Sequence, residues 1–120
     1  MELYEELKAY QVAYAAAIAI YRETRKLPKE EQYGITDQMR RASMGIAANI
    51  AEGYARKSTP QEFARFLRMG LGSCNEMKVW LSFCKDLKLL SEEFCEEQKE
   101  SYRTAEKLMG GLIKSLANKS

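Results

Sequence analysis

The ten residues from Ala42 to Ala51, ASMGIAANIA, contain no charged side chain. A helix of that length spans about 15 Å, and without a solvated face it must be covered on more sides than one helix–helix contact provides. The run therefore predicts a central or interface helix. Gly53 to Ser58 come next as a turn, and then Thr59, Pro60, Gln61 and Glu62. Thr59 is placed to cap, Pro60 suits the first helical position, and Glu62 can reach back to the cap amide. From Gln38 to Glu76 the chain thus reads as two helices folded back on each other.

The rest of the chain is also helical in period. From Glu2 to Lys26, Leu3, Leu7, Tyr10, Tyr14, Ala17 and Tyr21 alternate at spacings of four and three, which predicts one buried face. Leu27 to Gly34 breaks the pattern with Pro28 and Gly34, and Thr36 or Asp37 can cap the second helix. In that helix Met39, Ala42, Ile46, Ile50 and Gly53 share a face. Arg41, Gly45, Ala48 and Glu52 line the nearly opposite one, where small residues permit a close second neighbour. The third carries Phe63, Leu67, Gly70, Cys74, Met77, Leu81 and Cys84, with Phe66, Ser73, Trp80 and Leu87 repeating every seven residues beside them. Together these stripes cover roughly 160° of the helix, more than one antiparallel neighbour needs. Ser91 is a plausible cap ahead of Glu92 and Glu93, after which Phe94, Gln98, Tyr102, Ala105, Leu108 or Met109, Leu112 and Leu116 share a face. Gly110 and Gly111 weaken that helix by roughly 1 kcal/mol each relative to alanine, which allows a kink. Four helices at about 2–26, 37–55, 60–88 and 92–117 with short connections predict an all-α fold. It is a single domain, an antiparallel up-down-up-down four-helix bundle.

Composition excludes several classes. At 120 residues the chain is long enough for one core without disulfides or metal. A net charge of +2 does not mark a nucleic-acid binder, so local charge must decide. No apolar run is long enough to span a bilayer, and the acidic opening does not resemble a signal peptide, so a cytoplasmic location with no membrane partner is expected. Cys74, Cys84 and Cys95 lack metal-ligand spacing and there is no histidine, so no metal site and no cofactor is expected. Cys84 and Cys95, spaced evenly about Leu89 and Leu90, should face each other across the last turn as reduced thiols.

The stretch from Leu27 to Ala42 (LPKEEQYGITDQMRRA), that from Asn49 to Arg56 (NIAEGYAR), then Glu62, Phe63, Arg65, Phe66 and Leu67, and Gly72 to Glu76 (GSCNE) form a sequence of motifs. In this order they resemble the small bacterial four-helix-bundle proteins encoded in intervening sequences of 23S ribosomal RNA genes, over nearly the whole chain. The resemblance implies a homo-oligomeric ring, expected to be a pentamer. It also implies a distant relation to accessory proteins of diversity-generating reverse transcriptases, which contact nucleic acid and a polymerase. Met44 and Gly70 stand where the family tends to have a smaller residue and alanine, and the chain is less basic than the reverse-transcriptase branch.

Paired carboxylates in a bundle can serve acid–base or metal chemistry, which makes Glu52 and Glu76 the first suspects. The di-iron pattern requires histidine, which is absent, and an unpaired buried carboxylate would cost several kcal/mol. The favoured reading is a set of structural ion pairs: Glu76 with Arg40 or Arg41, and Glu52 with Arg56 or Arg65. Asn49 within the chargeless run reads as a register-fixing polar residue. Gly70 and Gly72 lack the strand and the lysine of a phosphate loop and read as sites of close helix contact. Between Gln38 and Arg68 six positive residues face two negative ones, and between Asp86 and Lys107 four positive face seven negative. Arg56, Lys57, Arg65 and Arg68 gather near the second hairpin turn and are the candidate contacts to RNA or DNA, with internal ion pairing as the competing reading. No catalytic residue is assigned. The expectation is a non-enzymatic oligomeric module that binds nucleic acid electrostatically; the alternative is an adaptor that docks a partner enzyme, such as a reverse transcriptase, through the acidic fourth helix or a ring face.

Overall fold

The computed structural model describes residues 3–119, with backbone alone for residues 32 and 33. Residue 2 lies outside the described residues, but the first α-helix, expected over about 2–26, begins only at Lys8, after a 3-10 turn at Leu3–Glu6 and an extended Leu7. Four α-helices carry the fold: α1 (Lys8–Glu23), α2 (Asp37–Ala55), α3 (Pro60–Asp86) and α4 (Glu92–Ala117). A 3-10 turn, Leu3–Glu6, precedes α1, and another, Thr24–Lys26, closes it. Each helix packs on its sequence neighbour and α1 also packs on α4, so the four close into an antiparallel bundle of 46 × 22 × 21 Å. The 27 residues of α3 account for the long axis, since an α-helix of that length extends about 40 Å.

The helices differ from the sequence reading in three further places, two at helix starts and one inside α4. Thr59 sits at the head of α3 with Pro60 behind it, but its side chain makes no capping bond, and Glu62 turns to Arg65 instead of back to the cap amide. Neither Thr36 nor Asp37 caps α2 with its side chain, because a π-helical turn, Gln32–Thr36, runs directly into the helix and bends at Gly34. Gly110 and Gly111 lie within an unbroken α4. Ser91 does cap: its hydroxyl accepts from the Phe94 amide at 3.1 Å. At the other end of this connection Lys88 adopts φ 58°, while the Leu89 amide donates to the Cys84 carbonyl at 2.8 Å and the Lys88 amide to the Lys85 carbonyl at 3.1 Å. This is the Schellman stop, with lysine at the position that favours glycine.

The core follows the expected faces of α2 and α3. Met39, Ala42, Ile46, Ile50 and Gly53 are buried, as are Phe63, Leu67, Gly70, Cys74, Met77, Leu81 and Cys84. The α1 face is different. Ala9, Ala13, Ala16 and Ile20 enter the core; of the expected face Ala17 is buried and Leu7 and Tyr10 pack against the core, while Leu3, Tyr14 and Tyr21 stay exposed. The alanines share the four-three spacing of the tyrosines, and their small side chains let the neighbouring backbones approach. Gly53 serves the same purpose on α2: a Cβ there would stand 2.9 Å from both Phe63 Cδ1 and Phe66 Cβ. Gly70 also marks close contact, with Met109 Sδ 3.1 Å from where its Cβ would be, whereas Gly45 and Gly72 face open space. The Arg41, Gly45, Ala48 and Glu52 face of α2 therefore has no second neighbour within the bundle.

Candidate functional site

The four basic candidates surround the turn between α2 and α3, but half of their charge is already engaged. Arg56 Nη2 lies 2.8 Å from Glu52 Oε2, one helical turn back. Arg65 grips Glu62 with two bonds, Nε to Oε2 at 2.9 Å and Nη2 to Oε1 at 3.1 Å. That pairing holds the Glu62 carboxyl below its ordinary value and raises Arg65 above its own. Both guanidiniums also lie against the Phe66 ring, at 5.2 and 4.6 Å from its centroid. Lys57 Nζ donates to the Tyr54 hydroxyl at 3.0 Å and sits 4.2 Å from that ring centroid. Among the described residues neither Lys57 nor Arg68 pairs with a carboxylate. Exposed ion pairs of this kind contribute little to stability, so Arg56 and Arg65 are not committed to their carboxylates by the fold.

The expected pairing of Glu76 with Arg40 or Arg41 does not form. Glu76 lies on the outer side of α3, where its carboxylate accepts from Trp80 Nε1 at 3.0 Å. Arg40 turns towards α1: its Nε donates to Thr24 Oγ1 at 3.0 Å, its Nη2 to the Tyr21 carbonyl at 3.2 Å, and its guanidinium stands 4.0 Å from the Tyr21 ring centroid. Arg41 is exposed without a carboxylate partner among the described residues. Side-chain direction, not hairpin register, prevents the pair: Gly53 meets Phe63 and Gly70 meets Ile46, which sets Glu76 level with Arg40, but Glu76 is on the exposed side of α3 and Arg40 turns to α1. Of the assigned pairs Glu52 with Arg56 is present, and Arg65 prefers its own helix.

A second surface was not assigned from sequence. Tyr10, Tyr14, Ala17, Ile18 and Tyr21 of α1, with Met44, Ala47, Ala48 and Ala51 of α2 and Tyr4 at one end, line an open groove of about 460 Å³. Its rings are ordered against one another, Tyr4 on Tyr10 at 4.9 Å and Tyr10 on Tyr14 at 5.7 Å between centroids. The Tyr10 hydroxyl is raised above its ordinary value, first by burial and then by Tyr4 and Glu5. Met44 is 48% and Tyr14 52% exposed along this groove. The chargeless half-turns of α2 thus form part of this groove, and the tyrosine stripe expected to be core forms the rest. Towards the end of α3 its outer side presents a further short apolar row, Val79, Phe83 and the capping Leu87.

The acidic fourth helix is largely neutralised. Glu106 pairs with Lys78, Glu96 with Lys85 and Lys99, Glu92 with Lys85, and Glu100 with Arg103. Among the described residues no group of three or more Cys, Asp or Glu side chains is arranged to hold a metal ion, and no helix is long and apolar enough to cross a membrane.

The model of a family described as 23S rRNA-intervening sequence protein matches residues 5–111. Among solved structures the chain is similar to a protein of unknown function from the S23 ribosomal protein family of Bacteroides thetaiotaomicron VPI-5482, with a TM-score of 0.78 and 22% identity. The match covers 88% of this chain and 98% of the other, and at that identity it establishes the bundle fold. No curated protein matches the chain.

Proposed function

The chain belongs to the 23S rRNA-intervening sequence protein family, and on that premise we propose that it is a non-enzymatic, self-associating helical module whose assembled hairpin tips contact nucleic acid. The groove between α1 and α2 carries this reading. It is apolar, half exposed and continuous with the chargeless run of α2. Its occupant is a second copy of the chain, and the apolar row on the outer side of α3 is the complementary surface. A groove on one side and a row on another make a head-to-tail contact, which closes into a ring when the rotation allows. Each added copy brings another Arg56, Lys57, Arg65 and Arg68, and repetition turns weak phosphate contacts into useful affinity.

Light scattering at micromolar concentration tests the assembly. The parent should be an oligomer and the Ile18→Glu, Met44→Glu variant a helical monomer; a monomeric parent refutes the proposal. The nucleic-acid half is tested by charge reversal at Arg56, Lys57, Arg65 and Arg68. Binding to RNA and DNA at two salt concentrations should be lost with the oligomer intact. Equal binding by parent and variant, or no binding by the parent at low salt, would leave an adaptor that docks a partner enzyme as the better reading.

A further inference from the structure

At the end of the bundle opposite the α2–α3 turn, a cleft of about 160 Å³ opens between the close of α1 and the start of α2. That is several times the roughly 30 Å³ a water molecule takes in the liquid. Its walls carry three cations, Arg25, Lys29 and Arg40, and no carboxylate. None of the three forms an ion pair among the described residues, although Glu23, Glu30, Glu31 and Asp37 are close in sequence and Glu23 pairs with Lys26 instead.

Arg40 is fixed in place. Its bonds to Thr24 Oγ1 and the Tyr21 carbonyl use two of the five guanidinium donors, and the Tyr21 ring lies 4.0 Å from its Cζ and 5.6 Å from that of Arg25. The carbonyl end of α1 attracts positive charge with about half an elementary charge, which accounts for one guanidinium and not for three cations. No carboxylate lines the cleft to balance them, and the remaining Arg40 donors have no acceptor among the described residues. Thr36 supplies an independent sign. It lines the same cleft at 5% exposure, and its hydroxyl has no hydrogen-bond partner among the described residues.

We infer that this cleft is a binding site for a phosphate-type oxyanion, held by the Arg40 guanidinium with Arg25 and Lys29 closing over it and the Thr36 hydroxyl as a further donor. Arg40 is pre-organised by Thr24 and Tyr21, so little side-chain freedom is lost when the anion arrives. The chemistry is common to a free phosphate and to a phosphodiester of a nucleic-acid strand. The site is separate from the hairpin tip and does not depend on it.

The test is an amide NMR titration of the full chain with inorganic phosphate at low ionic strength. The parent should show saturable shifts among residues 24–40. Affinity should fall by about tenfold or more in the exposed-site variant Arg25→Gln, Lys29→Gln, and also in Arg40→Lys, which keeps the charge but loses the planar fork. Charge reversal at Arg56, Lys57, Arg65 and Arg68 should leave this titration unchanged, which separates the site from the proposed function. A short single-stranded RNA in place of phosphate identifies the source. Shifts of the same amides that phosphate competes away mark a phosphodiester, and a response to phosphate alone marks the free ion. Absence of saturable shifts in the parent, or equal affinity in the folded Arg25→Gln, Lys29→Gln variant, overturns the inference.

Discussion

Adding a single methyl group at Gly53 should unsettle the α2–α3 hairpin. The Cβ of Gly53→Ala would stand 2.9 Å from Phe63 Cδ1, 2.9 Å from Phe66 Cβ and 3.2 Å from the Phe63 carbonyl oxygen. None of these atoms is the free end of a flexible chain, so relief requires the two helices to separate. Overpacking of this kind costs about 1–3 kcal/mol, and three close contacts argue for the upper half of that range. Against it stands a gain of about 1 kcal/mol from replacing glycine inside a helix. The net is a loss of about 1–2 kcal/mol. With an unfolding entropy of about 2.1 cal/mol/K per residue, a chain of this length loses about 4 °C for each kcal/mol, so the variant should melt about 4–8 °C below the parent. Gly111→Ala is the internal control: nothing lies within 4 Å of its Cβ, so it should keep the propensity gain and melt a few degrees higher. Thermal melts followed by circular dichroism at one fixed protein concentration decide the matter. A Gly53→Ala protein that melts at or above the parent would refute the close approach of α2 and α3.

The helix ends and the buried thiols set three further expected outcomes. Ser91→Ala should cost about 1 kcal/mol in urea denaturation because it removes the bond to the Phe94 amide, whereas Thr59→Ala, which removes no side-chain cap bond, should change little. Lys88→Gly should stabilise by about 1 kcal/mol, since φ 58° strains a side chain and suits glycine; an unchanged denaturation midpoint would contradict the stop geometry. Burial pushes the Cys74 and Cys84 thiols from near 9 up to about 12 and raises Cys95 and the Tyr102 phenol in the same direction. These groups stay protonated when folded and ionise first when unfolded, so their stabilising effect is complete below about pH 9 and is lost as pH rises towards 12. Denaturation midpoints should fall between about pH 8 and about pH 10.5 accordingly, and Cys74→Ala, Cys84→Ala should flatten the fall.

Periodicity alone determined the all-α bundle, because apolar residues at four-three spacing can be buried in no other regular way, and Ser91 marked its helix start by chemistry confined to four consecutive residues. The core faces of α2 and α3 were legible for the same reason: Met39, Ile46 and Ile50 have no apolar rival on their helix, and Leu67 and Leu81 belong to a four-three stripe that is denser than the seven-residue one beside it. On α1 two stripes compete, and sequence favours the larger side chains. Tertiary packing chose Ala9, Ala13 and Ala16, since small side chains at a contact let helices come close, and it left Tyr14 and Tyr21 to line a groove. The basic tip was legible as composition, but its partners were not. Arg65 chose Glu62, and Glu76 chose Trp80, because the direction of each side chain on its helix decides which charges meet. Arg25, Lys29, Arg40 and Thr36 converge for the same reason: they come from the end of one helix, a loop and the start of the next, and folding alone brings them to one cleft.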